Sequence, residues 1–288
     1  MTRIAYVNGQ YVQHGEASVH IEDRGYQFAD GIYEYIAFYN RKMLDADLHF
    51  KRLARSLKEL KIAMPVAAGA LPIIARELIE RNGREDGGLY IQVTRGVARR
   101  DHAFPKNVKP ALVMTVCAAK LPKAQDVRNG VRVITRPDIR WGRCDVKSVA
   151  LLANILAKQD AAERSAREAW LVKGDVVTEG SASNAYIVTA AGELVTHHAN
   201  KSILGGVVRD VVLKLARDAG IKVSERAFNV VEIPDAAEAF ITSTSANVLP
   251  VSHVDEQRIG DGKPGAVTVK LQELYAGHMF EQTGKLLM

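Results

Sequence analysis

The stretch "RCDVKSVALLANILAKQDA", residues 143–161, places one lysine, Lys147, at the foot of a run rich in Ala and Leu. Strand-like "VRVITR" (131–136) precedes it, and Ser148 follows as a candidate N-cap. The pattern predicts a strand end turning into a buried helix, with the Lys147 amine projecting at the junction. That place suits covalent chemistry, because burial disfavours the charged ammonium and a rigid element aims the amine. Lys147 also reads as an exposed lysine in the first turn of a helix, and the stretch alone leaves both readings open.

Upstream, "RIAYVNGQYV" (3–12) and "GIYEYIAFYNRKML" (31–44) alternate around Asn-Gly and Tyr-Asn-Arg turns, the pattern of antiparallel hairpins. Residues 47–60 set Leu48, Leu53, Leu57 and Leu60 at near-helical spacing, and 70–82 repeat that character. "GLYIQVTRG" (88–96) and "PALVMTVCAA" (110–119) are apolar enough for inner strands. The polar segment "AKLPKAQDVRNG" (119–130), punctuated by Pro and Gly, reads as a connection. It divides the chain into a small N-terminal domain (1–120), a linker (121–130) and a larger C-terminal domain (131–288). Beyond it "EAWLV", "NAYIVT" and "ELVT" predict a meander, with helices near 205–219 and 265–280. Strands clustered in runs predict an α+β protein with antiparallel or mixed sheets.

The 288 residues, 47% apolar and 25% charged, suffice for full cores without staples. Cys117 and Cys144 form no CxxC pair, which fits a reducing compartment. The N-terminus lacks the apolar stretch of a secretory signal, and the aliphatic run Val149–Ala157 is broken by Asn154 and too short for a bilayer. A soluble cytoplasmic protein, not a membrane protein, is expected. The net charge of +6 is scattered without a basic block, so no nucleic-acid partner is expected. His197 and His198 lack an acid or thiol at ligand spacing, and no metal site is expected.

In "VVTEGSASNAY" (176–186), Glu179 lies among small polar residues, where a turn can carry a carboxylate into a cleft. Lys147 and Glu179 together are the two groups a pyridoxal 5'-phosphate site requires: an amine to bond the aldehyde and an anion to keep the pyridine nitrogen protonated. In order, "EDRGYQFADGIYE", "HFKRL", "VTRGVARRDHAFP", "RCDVKSVALLANILAKQDA", "VTEGSASNAY", "ILGGVVRDVV" and "ITSTSANVLP" make the chain resemble the class IV, fold-type IV aminotransferases, and within them the D-amino acid aminotransferases. The resemblance runs from about residue 3 to beyond 270 and implies a small α/β domain followed by a larger pseudo-barrel domain that carries the lysine.

By that resemblance Lys147 carries the cofactor, Glu179 pairs with its pyridine nitrogen and Arg52, in the "HFKRL" helix, binds its phosphate. A guanidinium fork matches phosphate oxygens. Val207 and Val208 correspond to residues whose backbone N–H groups meet the phosphate at a helix start. At Val208 this chain departs from the threonine common in the D-amino acid enzymes. Leu204 matches a residue packed on the cofactor ring, and Ser243 and Thr244 match a loop on the phosphate side. Arg100, His102 and Tyr33 correspond to groups that hold the substrate α-carboxylate, the first two from a neighbouring subunit, which implies a homodimer. Arg99, one residue away, competes with Arg100 for that role. The implied reaction is ping-pong transamination between a D-amino acid such as D-alanine and a 2-oxo acid such as 2-oxoglutarate. Rival readings are a branched-chain L-amino acid or (R)-amine aminotransferase, an aminodeoxychorismate lyase, and, last, a non-enzymatic binding protein.

Overall fold

The computed structural model describes residues 3–119 and 121–286. Two turns of left-handed backbone, Asn8 and Gly9 (φ 47° and 99°) and Asn40 and Arg41 (φ 48° and 60°), open the fold. Positive φ at both central residues matches the twist of a two-residue hairpin. Accordingly β1 (Ile4–Val7) pairs with β2 (Gln10–Gln13), and β3 (Gly31–Tyr39) with β4 (Lys42–Met43). With β5 (Gly87–Thr94) and β6 (Ala111–Ala118) they form an antiparallel sheet in the order β2-β1-β6-β5-β3-β4.

One face of this sheet, with Ile32, Ile36, Leu89, Ile91, Val93, Leu112, Met114 and Val116, forms a core with Leu53 and Leu57 of α2 (Ala46–Glu59) and Leu71, Ala75, Leu78 and Ile79 of α3 (Ala70–Arg81). A short α1 (Arg24–Phe28), capped by Asp23, leads into β3. The inner face of α2 is rotated from the leucine pattern: His49 and Ser56 are buried while Leu48 is 40% exposed. The cause is a polar anchor, Glu34, described below.

The predicted linker contains α4 (Ala124–Asn129). After β7 (Val131–Pro137) come α5 (Leu152–Glu163), β8 (Glu168–Lys173), β9 (Val176–Gly180), β10 (Asn184–Val188), β11 (Leu194–Thr196) and α6 (Val207–Asp218). Then follow β12 (Val223–Glu225), β13 (Phe228–Asn229), β14 (Glu238–Ser243), β15 (Asn247–Val254), β16 (Gln257–Arg258) and α7 (Ala266–Thr283). The strands form a mixed sheet, β12-β11-β10-β14-β15-β7-β8-β9-β13 with β16 beside β15. Val133, Trp170, Val177, Ala185, Ile187, Val195, Ile241 and Leu249 from its strands meet in one cluster, so the sheet curls around its own core as a half-barrel.

The chain divides into two compact units. One takes the described residues to 119 with Val146–Ala150 and Phe280–Lys285, and the other takes Leu121–Asp145 and Leu151–Met279. Val146 explains the small insertion, since its side chain is part of the first core. The backbone beside it pairs with β3: Ser148 bridges Ile32, the Tyr33 N–H donates to the Lys147 carbonyl at 2.9 Å, and the Val149 N–H donates to the Gly31 carbonyl at 3.1 Å. Ser148 is therefore bridged backbone and not the expected N-cap. Helix α5 starts later, after Leu151, without a side-chain cap. Helix α5 buries only its alanine face, Ala157 and Ala161, while Leu152, Ile155 and Leu156 are 71, 59 and 55% exposed.

Candidate active site

Alternation along the bridged segment decides where Lys147 goes. Val146 points into the first core and Ser148 is buried, so Lys147 turns to the other face, where its Nζ lies 4.2 Å from the centre of the Tyr33 ring. Tyr33 stacks on Tyr90 at 5.8 Å, a partner that the sequence did not single out. The pairing register puts Tyr33 opposite Gln92 and Tyr35 opposite Tyr90, so all four share the face turned away from the helices.

Beside them, α2 contributes a polar cluster. Glu34, fully buried, receives Arg52 at 2.7 Å (Nε to Oε1) and 2.8 Å (Nη2 to Oε2), and His49 Nδ1 at 2.8 Å. Burial alone would raise the Glu34 carboxyl, but Arg52 and His49 pull it down to about 2. Burial lowers His49 against the upward pull of Glu34, and the positive charges of Arg52 and Lys147 add to the fall. The Lys147 N–H also reaches Ser56 Oγ at 3.4 Å. Within the first unit the structure thus brings Lys147 to Tyr33, and Arg52 to Glu34. Glu34 and His49 were missed, although both lie in quoted motifs, because nothing in sequence spacing marks a buried ion pair.

The second unit holds Glu179. It lies in β9 and not in a turn, one residue before the strand ends at Gly180. Its carboxylate receives Arg140 Nη1 at 2.5 Å, the Leu204 N–H at 3.0 and 3.1 Å, and the Asn184 amide at 3.1 Å. Arg140 is shared, donating to Asp138 from Nε and Nη2 at 2.9 and 2.8 Å. Burial pushes the Glu179 carboxyl up to about 7 against the pull of Arg140, and Asp138 adds repulsion. The same pair of acids holds the Arg140 guanidinium charged.

Asn184 also donates to the Leu204 carbonyl at 2.9 Å, and a Cβ at Gly206 would stand 2.1 Å from its side-chain oxygen. One amide therefore ties Glu179 to the loop leading into α6, whose first residues are Val207 and Val208. No side chain caps that helix start, where the first N–H groups have no intrahelical partner. Ser243 ends β14, its hydroxyl accepting from the Ala246 N–H at 3.1 Å, with Thr244 in the turn that follows. Arg100 and His102 sit on an exposed loop around Phe28, while the ring contacts of Tyr33 are with Tyr90 and Lys147.

Each unit, taken by itself, carries groups of the kind that pyridoxal phosphate demands. The first unit supplies an amine and an arginine. The second supplies a buried carboxylate already fixed by three donors and a helix start lacking its own cap.

The model of the family described as "Amino-transferase class IV" matches residues 31–254. D-alanine aminotransferase of Staphylococcus haemolyticus is 42% identical over 274 residues, covering 95% of this chain and 96% of that protein. D-alanine aminotransferase of Bacillus licheniformis is 41% identical over 278 residues, covering 96% and 98%. Among solved structures, the T.th. branched-chain amino acid aminotransferase with pyridoxamine 5'-phosphate superposes with a TM-score of 0.89 at 26% identity, covering 99% and 95%. The branched-chain enzyme of Escherichia coli, at 22% identity and a TM-score of 0.91, covers 98% and 96% and shares the fold. Fold and site define a two-unit α+β enzyme of fold type IV. The chain belongs to the class IV aminotransferases.

Proposed function

We propose that this protein is a homodimeric, cytoplasmic D-amino acid aminotransferase that uses pyridoxal 5'-phosphate to move the amino group of D-alanine, or a similar D-amino acid, to 2-oxoglutarate or a similar 2-oxo acid. The observation that carries this reading is the placement of Lys147, an amine held over the Tyr33 ring. The D-alanine aminotransferases, 41% and 42% identical over nearly the whole chain, support the D-specific choice.

The cofactor, when bound, supplies an aldehyde that bonds amines reversibly and a ring that draws electrons from the substrate Cα. Lys147 would hold that aldehyde, and its free Nζ would move the substrate Cα proton. Glu179 would keep the pyridine nitrogen protonated. Arg52 and the N–H groups of Val207 and Val208 would take the phosphate, with Ser243, Thr244 and Leu204 helping to hold the group. Tyr33, with Arg100 and His102 of a second copy, holds the substrate carboxylate and so selects which face of Cα meets Lys147. The exposed Leu152, Ile155 and Leu156 of α5 suit an assembly in which a second copy covers apolar surface.

The test is a coupled assay of purified, cofactor-loaded protein with D- or L-alanine, with and without 2-oxoglutarate. Beyond one equivalent per bound cofactor, pyruvate should form from the D-form only when the acceptor is present, and Lys147→Ala should abolish it. Activity with L-alanine alone would reassign the stereochemistry, and no acceptor-dependent turnover with either form would overturn the reading.

A further inference from the structure

Arg100 and His102 lie in a loop whose residues 99–104 are all exposed. Long exposed side chains sample many rotamers, and fixing them costs entropy when a ligand binds. Here both are already placed. The Arg100 guanidinium carbon lies 4.7 Å from the centre of the Phe28 ring, and the His102 ring lies 5.5 Å from it.

Phe28 closes α1 and is only half-buried, so its ring serves more than the core. It is held by Arg24, whose guanidinium carbon is 4.9 Å from the same ring and whose side chain is almost wholly buried. Arg24 donates from Nε to Asp30 at 2.8 Å, from Nη1 to the Asp101 carbonyl at 2.5 Å and from Nη2 to the His102 carbonyl at 3.5 Å. Asp30 in turn receives Arg95 at 2.7 and 2.9 Å, and Arg95 lies 3.7 Å from the Phe104 ring. Arg24 thus fixes the loop backbone, and one aromatic ring meets both side chains that the loop presents.

We propose that Phe28, fastened by Arg24, is the positioning residue of the substrate-carboxylate clamp, its ring aiming Arg100 and His102 before the amino acid arrives. This rests on the reading that Arg100 and His102 hold that carboxylate, so the experiment measures both. Steady-state kinetics with D-alanine are compared for Phe28→Leu, Phe28→Tyr, Arg24→Lys, Arg100→Ala and Arg100→Ala/His102→Ala, alongside thermal melting and the cofactor absorption spectrum.

Phe28→Leu should raise KM about tenfold through the lost ring contacts, with kcat within about twofold and the spectrum unchanged. Phe28→Tyr, which keeps the ring, should restore KM. In the Arg100→Ala/His102→Ala background, Phe28→Leu should add less than about twofold, because its effect runs through those side chains. If Phe28→Leu does not fold, Arg24→Lys gives the same readout, since an ammonium cannot span Asp30 and two carbonyls at once.

A raised KM in Arg100→Ala together with an unchanged KM in Phe28→Leu overturns this inference and leaves the proposed function standing. An unchanged KM in Arg100→Ala overturns the carboxylate reading itself. Equal losses from Phe28→Leu in both backgrounds, with a lowered kcat, assign the ring a structural role only and also overturn the inference.

Discussion

The two units each bury a glutamate against an arginine, yet they set the two carboxyls to opposite ends of the scale. Glu34 is drawn down to about 2, whereas Glu179 is pushed up to about 7. Burial acts on both in the same direction. The difference lies in how the cation is turned: Arg52 gives Glu34 two nitrogens, with His49 adding a third bond, while Arg140 gives Asp138 two nitrogens and Glu179 one. A carboxylate that takes two nitrogens of its arginine is a permanent anion and a structural part. One that shares its arginine with a second acid stays close to neutrality, where the partner it faces decides its proton. That suits a group meant to answer a pyridine nitrogen.

Breaking the first pair should have the largest effect. Glu34→Gln leaves Arg52 and His49 buried beside a neutral amide, and a loss of about 3 kcal/mol is expected in urea unfolding at pH 7. Because folding lowers this pKa, its contribution is present above about 4.5 and disappears as the pH falls towards about 2. The variant and the parent should therefore converge in acid, and a constant gap down to pH 2 would contradict the pairing.

Glu179→Gln should do the reverse, sparing the fold while lowering kcat by roughly a hundredfold, about 2.7 kcal/mol in the barrier. Folding raises the Glu179 pKa, so its contribution is full below about 4.5 and is lost as the pH rises through about 7. Cofactor-free Glu179→Gln should then be no less stable than the parent at pH 8. A large loss of stability at that pH would make the two glutamates equivalent.

Asp138→Asn sharpens the contrast by leaving Arg140 to Glu179. The Glu179 carboxyl should fall by roughly one pH unit, equivalent to about 1.4 kcal/mol, and the acid limb of the kcat profile should shift down with it. An unmoved limb would mean that the division of Arg140 is not what holds Glu179 near 7.

Some of this organisation was legible in the chain and some was not, and the dividing line is the distance over which each feature is set. Asn8-Gly9 and Asn40-Arg41 announced their hairpins because left-handed backbone is a local property. The leucines of α2 announced a helix but missed its inner face, because Glu34 draws His49 and Arg52 inwards from a strand 15 and 18 residues away. Arg140 was invisible for the same reason, lying 39 residues before its partner Glu179. Ser148 looked like a cap because it precedes an apolar run, yet its backbone is taken by β3. The resemblance to a family supplied the lysine, the acid and the arginine, whereas the ion pairs that tune them appear only when distant strands and helices meet.

The smallest expected effect concerns the phosphate. If Arg52 is already neutralised by Glu34, the start of α6 must carry more of the anion's charge, and one further donor there should be measurable. Val208 is the second residue of α6 and almost wholly buried. Val208→Thr changes shape little but adds a hydroxyl. Without phosphate that hydroxyl lacks a good partner, and the cofactor-free protein should lose about 1 kcal/mol. With phosphate present it donates a charge-assisted bond, and cofactor affinity should rise by about threefold or more. Melting temperatures should therefore move in opposite directions without and with pyridoxal phosphate. A change of the same sign in both forms would mean that no phosphate oxygen reaches the α6 start, and would return the anion to Arg52.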